Sequence, residues 1–178
     1  AVGALCGYGV YAGATGLGLR PVFRFPPIGP MHVGDLAWGA AAGVAGALVA
    51  MAFTYLCTGL RWCIGVIPPA ARAPLGGVLL GLGAWLSPYA LTNGEVQIEH
   101  LTRARTLGLV LVGAAAVKLV ASAITLVTGW KGGFIIPLFF IGFCLARSVG
   151  SHLPGSHTWV LAAALMVACN VGVTKTPI

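Results

Sequence analysis

Residues 36–60 carry no acidic or basic side chain. At 1.5 Å per residue a helix of that length spans more than the roughly 30 Å hydrocarbon core of a bilayer. Five further apolar stretches, about 1–19, 74–91, 106–128, 134–150 and 158–171, have helix length and are separated by proline, glycine or charge clusters. Several are too short to cross a bilayer squarely. Hydrophobic residues make up 58% of the 178 and charged residues 7%, against about a quarter charged in a soluble domain. Membrane barrel strands alternate apolar and polar side chains, and none of these stretches does. The expected fold is therefore all-α: a multi-pass transmembrane helical bundle with short, tilted and re-entrant helices. Residues 1–178 form a single membrane domain with no separate soluble domain, and the lipid bilayer is the first expected partner.

A net charge of +7 in a soluble protein would point to nucleic acid. Here the ten basic residues are spread over nearly every loop, so no nucleic-acid partner is expected. Arg20, Arg24, Arg61, Arg72, Arg103, Arg105, Arg147 and Lys175 read as interfacial charges, and their even spread leaves the orientation open. Cys6, Cys57, Cys63, Cys144 and Cys169 lie mostly in apolar stretches without a C-x-x-C pair and read as buried free thiols. The chain starts without methionine inside an apolar stretch and stops at Ile178 with no tail, which reads as an internal fragment.

Four glycine pairs, Gly3/Gly7, Gly9/Gly13, Gly39/Gly43 and Gly77/Gly81, have the spacing that lets helix backbones touch in lipid. Close packing within the chain is the first reading of each pair, and a dimer face is the second. Two proline-rich loops punctuate the bundle, one before Asp35 with Pro21, Pro26, Pro27 and Pro30, the other at Pro68-Pro69.

The segment Thr128-Gly129-Trp130-Lys131-Gly132-Gly133-Phe134-Ile135-Ile136-Pro137 has the most chemistry to offer. Proline is tolerated in the first turn of a helix, so a helix should start near Phe134 and run to about Val149. Its first N–H groups lack partners, and with the positive end of the helix dipole they can hold an anion where Gly132 and Gly133 permit close approach. A helix of this length, roughly 24 Å, begins part-way through the bilayer. Lys118, inside a strongly apolar helix, either draws anions into a wet cavity or is buried against carbonyls. Lys131 stands as an anion attractor at a vestibule or as an interfacial anchor.

The remaining polar residues suggest less. Glu95 and Glu99 are two of only three acids and lie near Arg103 and Arg105, which reads as a solvated loop with local charge pairing rather than a proton relay. Asp35 reads as the N-cap of the second helix. His152 and His157 flank Pro154-Gly155 with no visible chemistry. His100 and Glu99 do not form a zinc motif, and there is no nucleophile elbow, P-loop or dinucleotide fingerprint. Neither an enzyme activity, a metal nor a cofactor is expected.

Gly132-Gly133-Phe134-Ile135-Ile136-Pro137 resembles the G-x-F-x-P element of the CLC family of chloride channels and proton-coupled chloride exchangers. Some forty residues on, Thr174-Lys175-Thr176-Pro177-Ile178 is similar to that family's T-R-T/A-P sequence after a small-residue helix, and the Asn93-Gly94 break agrees more weakly. The resemblance implies a partial CLC-type fold covering the middle to later part of the transmembrane region. It places chloride, as the transported ligand, on the backbone N–H groups of Phe134 and Ile135, with Gly133 giving access. It also implies a homodimer, with residues 1–19 near the subunit interface, in a membrane expected to be the plasma membrane. Lys131 departs from the family pattern, and the aromatic at Phe134 is displaced by one position. The family's G-S-G-I-P and G-R-E-G-P elements do not occur in these residues. The competing reading is a noncatalytic helical membrane scaffold or partner subunit whose glycine-rich helices only pack.

Overall fold

The computed structural model describes residues 2–16, 23, 25–27, 29–104, 106–153 and 155–175. Arg20, Pro21, Arg24, Arg105, Pro154 and the Thr176-Pro177-Ile178 end of the second family element lie outside the described residues. Among the described residues seven α-helices follow one another: α1 Val2–Thr15, α2 Val33–Ile64, α3 Pro69–Leu86, α4 Glu95–Arg103, α5 Gly108–Val127, α6 Ile135–Gly150 and α7 Thr158–Thr174. A single 3₁₀ turn, Pro88–Ala90, leads out of α3. The all-helical expectation holds among the described residues. By length and composition α2 and α5 can cross a membrane, whereas α6 and α7, at 16 and 17 residues, are shorter.

At the centre of the bundle is α6, packed against α5 on one side and α7 on the other, with α2 lying across α7. Leu138, Phe140, Ile141, Phe143 and Cys144 of α6 are buried. Gly142 is required here for packing: a Cβ would come 2.7 Å from the Met166 nitrogen and 2.8 Å from the Leu165 carbonyl carbon of α7, and backbone cannot step aside. Gly46 of α2 similarly meets Ala168 of α7, and Gly172 of α7 meets Ala50 of α2.

These contacts correct the glycine-pair expectation. Among the described residues a Cβ at Gly3, Gly7, Gly9, Gly13, Gly39, Gly43 or Gly81 would meet nothing within 4 Å, and at Gly77 it would meet only the Trp130 ring at 3.7 Å. The close crossings within this chain are made by single glycines facing alanine or backbone, and the paired ones face outward. Large apolar side chains are exposed too, including Val33, Trp62, Trp85 and Leu109, more surface than water would tolerate and suited to lipid or further helices. Of the five cysteines, Cys57, Cys144 and Cys169 are buried free thiols, but Cys6 and Cys63 are exposed.

Residues 95–103 form a helix and not a loop. Gly94, at φ +100°, starts it, and Ile98 and Leu101 bury one face against α6. The expected charge pairing is present as an i,i+4 contact, Arg103 donating to Glu99 at 2.9 Å on the exposed face. Two arginines do more than mark an interface. Arg147 of α6 donates to the Ala104 and Leu101 carbonyls at 2.9 and 3.4 Å, satisfying the end of α4, and lies over the Trp159 ring. Arg72 donates to the Ile67 and Gly65 carbonyls and fixes the turn from α2 to α3.

Asp35 is not the N-cap of α2. That position is His32, because the helix starts three residues earlier than its apolar run, and Asp35 sits in the first turn. Its carboxylate accepts from the His32 backbone N–H at 2.9 Å and from His157 Nδ1 at 2.9 and 3.0 Å. His157 is the N-cap of α7, and its ring stacks on His32 at 5.9 Å. His157, which shows no chemistry in the sequence alone, therefore joins the start of α7 to a carboxylate in the first turn of α2, 122 residues upstream.

Two outcomes follow for unfolding in detergent. Gly142→Ala lowers stability by about 1–3 kcal/mol through overpacking against α7, and an unchanged thermal midpoint would show that α6 and α7 do not touch this closely. Asp35→Ala lowers the midpoint more than Glu99→Ala, since the first removes a buried carboxylate that accepts from His32 and His157 and the second breaks an exposed pair. Equal effects would remove the α2–α7 tie.

Candidate functional site

Three parts of the chain enclose a cavity of about 230 Å³. One face of α5 supplies Lys118, Ser122 and Thr125, spaced so that they align along the helix. After the 3₁₀ turn come Thr92 and Asn93, and the third wall is Gly132, Gly133, Phe134 and Pro137 at the entry to α6. The glycine-rich segment and Lys118, singled out separately in the sequence, thus meet in one place.

Why the chain opens here is local chemistry. Thr128 closes α5 by donating its hydroxyl to the Ile124 carbonyl, and Gly129, at φ +90°, turns the backbone away. Trp130 N–H returns to the Thr125 carbonyl at 3.2 Å, and its indole N–H donates to the Ala73 carbonyl of α3 at 3.0 Å, fixing the link. Phe134 is the N-cap of α6, as the position of Pro137 predicts, and its carbonyl accepts the first helical bond from Leu138 N–H at 3.1 Å. No side chain caps this end. Ile135 and Ile136 therefore present N–H groups that the helix itself cannot satisfy, while Pro137 has none. A Cβ at Gly133 would meet nothing within 4 Å, and one at Gly132 would only touch Thr125 at 3.4 Å. Packing among the described residues does not require either glycine.

Lys118 is 1% exposed. Its ammonium donates to the Leu91 carbonyl at 2.7 Å and the Thr92 carbonyl at 3.1 Å, and it lies 5.2 Å from the centre of the Phe140 ring. Lys118 is thus bound to carbonyls, as the second of its two readings has it, and it also lines the cavity. The carbonyls belong to a constrained turn with Thr92 at φ +61° and Gly94 at φ +100°. A Cβ at Gly94 would come 2.9 Å from the Phe140 Cβ, so Phe140 supports the turn from below while Lys118 holds its carbonyls.

The hydroxyls are already committed. Ser122 donates to the Lys118 carbonyl at 2.7 Å and Thr125 to the Ala121 carbonyl at 2.8 Å, each one helical turn back. Both line the cavity with their single donor engaged and their lone pairs left over. Two residues of the sequence reading stay outside. Lys131 is exposed and does not line the cavity, and Ile135, 49% exposed, contributes at most its backbone. Thr92 and Asn93 were missed as lining residues; the Asn93-Gly94 break was the available signal.

The sequence matches the voltage gated chloride channel family over residues 1–178. This chain belongs to that family. Membership makes it a membrane protein, which accounts for the exposed apolar surface of α2, α3 and α5. It is 29% identical over 172 residues to a candidate ion-transport protein, YfeO, of Salmonella schwarzengrund, and 28% identical over 174 residues to the proteins of that name in Escherichia coli and Escherichia fergusonii. Each match covers 88% of this chain and 38% of the relative, so the chain spans well under half the length of the curated relatives it matches. No solved structure matches it.

Gly94→Ala should lower stability by about 1–3 kcal/mol, through the left-handed backbone and the Phe140 contact together. Thermal unfolding of the purified protein checks this. A neutral substitution would mean that the turn beneath Lys118 is not held as described.

Proposed function

We propose that this chain forms part of the ion pathway of a chloride transport protein, either a channel or a proton-coupled exchanger. A small anion rests in the cavity at the start of α6. What carries the reading is the convergence of an uncapped helix N-terminus, with its N–H groups and dipole, and a buried cation on a cavity whose glycine walls packing leaves open. Gly133, Phe134 and Ile135 supply the backbone of the site. Neutral amides replace enough of the anion's hydration to bind it and still let it leave. Lys131, exposed on the link, adds long-range attraction outside the site.

Family membership supports transport rather than catalysis, and the names of the YfeO relatives support ion transport. The outward-facing glycine pairs of α1 and α2 support close assembly with other helices, for which a second copy of the chain is the proposed partner. The plasma membrane is the proposed location.

The test is Gly133→Leu in the full-length protein reconstituted in liposomes. Since Gly133 has open space around it, the variant folds normally, and chloride flux falls by at least about tenfold as the side chain enters the cavity mouth. Wild-type flux from correctly folded Gly133→Leu protein would reject the site.

A further inference from the structure

Lys118 is an unusual cation in a chain with three acids. Glu99 pairs with Arg103 and Asp35 with His157, and Lys118 has no carboxylate partner among the described residues. Its charge is stabilised by the two carbonyls and the Phe140 ring alone. If the ammonium is removed in thought, the walls of the cavity read differently. The Thr92 carbonyl loses its donor, the Leu91 carbonyl keeps only a long 3.5 Å contact from Gln97 Nε2, and the Ser122 and Thr125 hydroxyls, whose hydrogens point back into α5, have only lone pairs left to offer. Four oxygens without available hydrogens are the kind of lining that replaces the hydration shell of a monovalent cation.

We propose that Lys118 is the specificity-determining residue of this cavity, setting the sign of the ion it accepts. The ammonium occupies the place on the Leu91 and Thr92 carbonyls that a cation would take, and its charge outweighs the oxygen lining. An anion then finds the α6 amides on one side and a positive centre on the other, with no exposed carbonyl charge to repel it. This role rests on the reading of the cavity as a site for small anions and adds to it: the amides bind, and Lys118 excludes. Neutralising Lys118 therefore does more than weaken anion binding. It exposes the carbonyls and lets a cation compete.

The measurement is paired uptake of radiolabelled chloride and radiolabelled rubidium by liposomes containing the full-length protein. Wild type and Lys118→Arg take up chloride in preference to rubidium. Lys118→Met and Lys118→Gln lower the chloride-to-rubidium ratio by at least about tenfold, as expected for loss of one buried unit charge beside the ion. Lys118→Gln retains an N–H₂ group for the carbonyls, so it preserves the turn where Lys118→Met fails to fold. A folded Lys118→Gln or Lys118→Met protein with the wild-type ratio overturns the proposal while leaving the anion site standing. Wild-type protein that takes up no chloride overturns the anion reading and this role with it.

Discussion

In hydrocarbon every backbone N–H and C=O needs a partner, and the uncapped start of α6 presents donors that the helix itself cannot satisfy. Pro137 fixes the position by fitting only the first turn of a helix and contributing no N–H. Gly129 turns the chain away from α5, and Gly133 adds no side chain that could cover the exposed amides. On the opposite wall the problem has the other sign, because the Leu91 and Thr92 carbonyls lie in the tight bend between the 3₁₀ turn and α4. Lys118 answers those acceptors directly. The α6 amides on the other wall are where the proposed anion finds its donors.

The rest of the bundle keeps these two walls in place. Gly142 brings α6 against the backbone of α7, Gly46 and Gly172 bring α7 against α2, and Asp35 with His157 ties the starts of α2 and α7. Arg147 reaches from the last turn of α6 to the end of α4, the helix that begins immediately after the Thr92–Gly94 turn. Gly142 and Arg147 act directly on α6, which borders the cavity, and the ties between α2 and α7 hold the helix against which α6 packs.

The start of α6 was legible because it depends on local rules, a proline at the first turn and glycines before it. The all-helical class was legible from uninterrupted apolar runs. What escaped were contacts between distant residues. Nothing near His157 announces a carboxylate 122 positions upstream, and nothing in the sequence of α6 assigns Arg147 to the carbonyls of α4. The helix at 95–103 was hidden by its charges, although Glu99 and Arg103 are four apart and Ile98 and Leu101 three apart, which is helical spacing on two faces. Glycine spacing misled for a different reason: it shows where backbones could meet but not which face of the helix meets a neighbour, and the crossings formed at Gly46, Gly142 and Gly172 instead. For Lys118 the apolar helix around it announced burial but not the acceptors, because the 3₁₀ turn and the tight bend that supply them are too short to leave a periodic signature.

Phe140 belongs to α6, yet its ring lies beneath the Lys118 ammonium and its Cβ beneath Gly94. The helix that presents the amides therefore also carries the floor on which the charge and the carbonyl turn rest. A rotation of α6 about its axis, or a slide along it, displaces donors, charge and turn together. Under the proposed function, a gating movement of this helix would change the electrostatic character of the passage along with its width, and opening and ion preference would share a single mechanical coordinate.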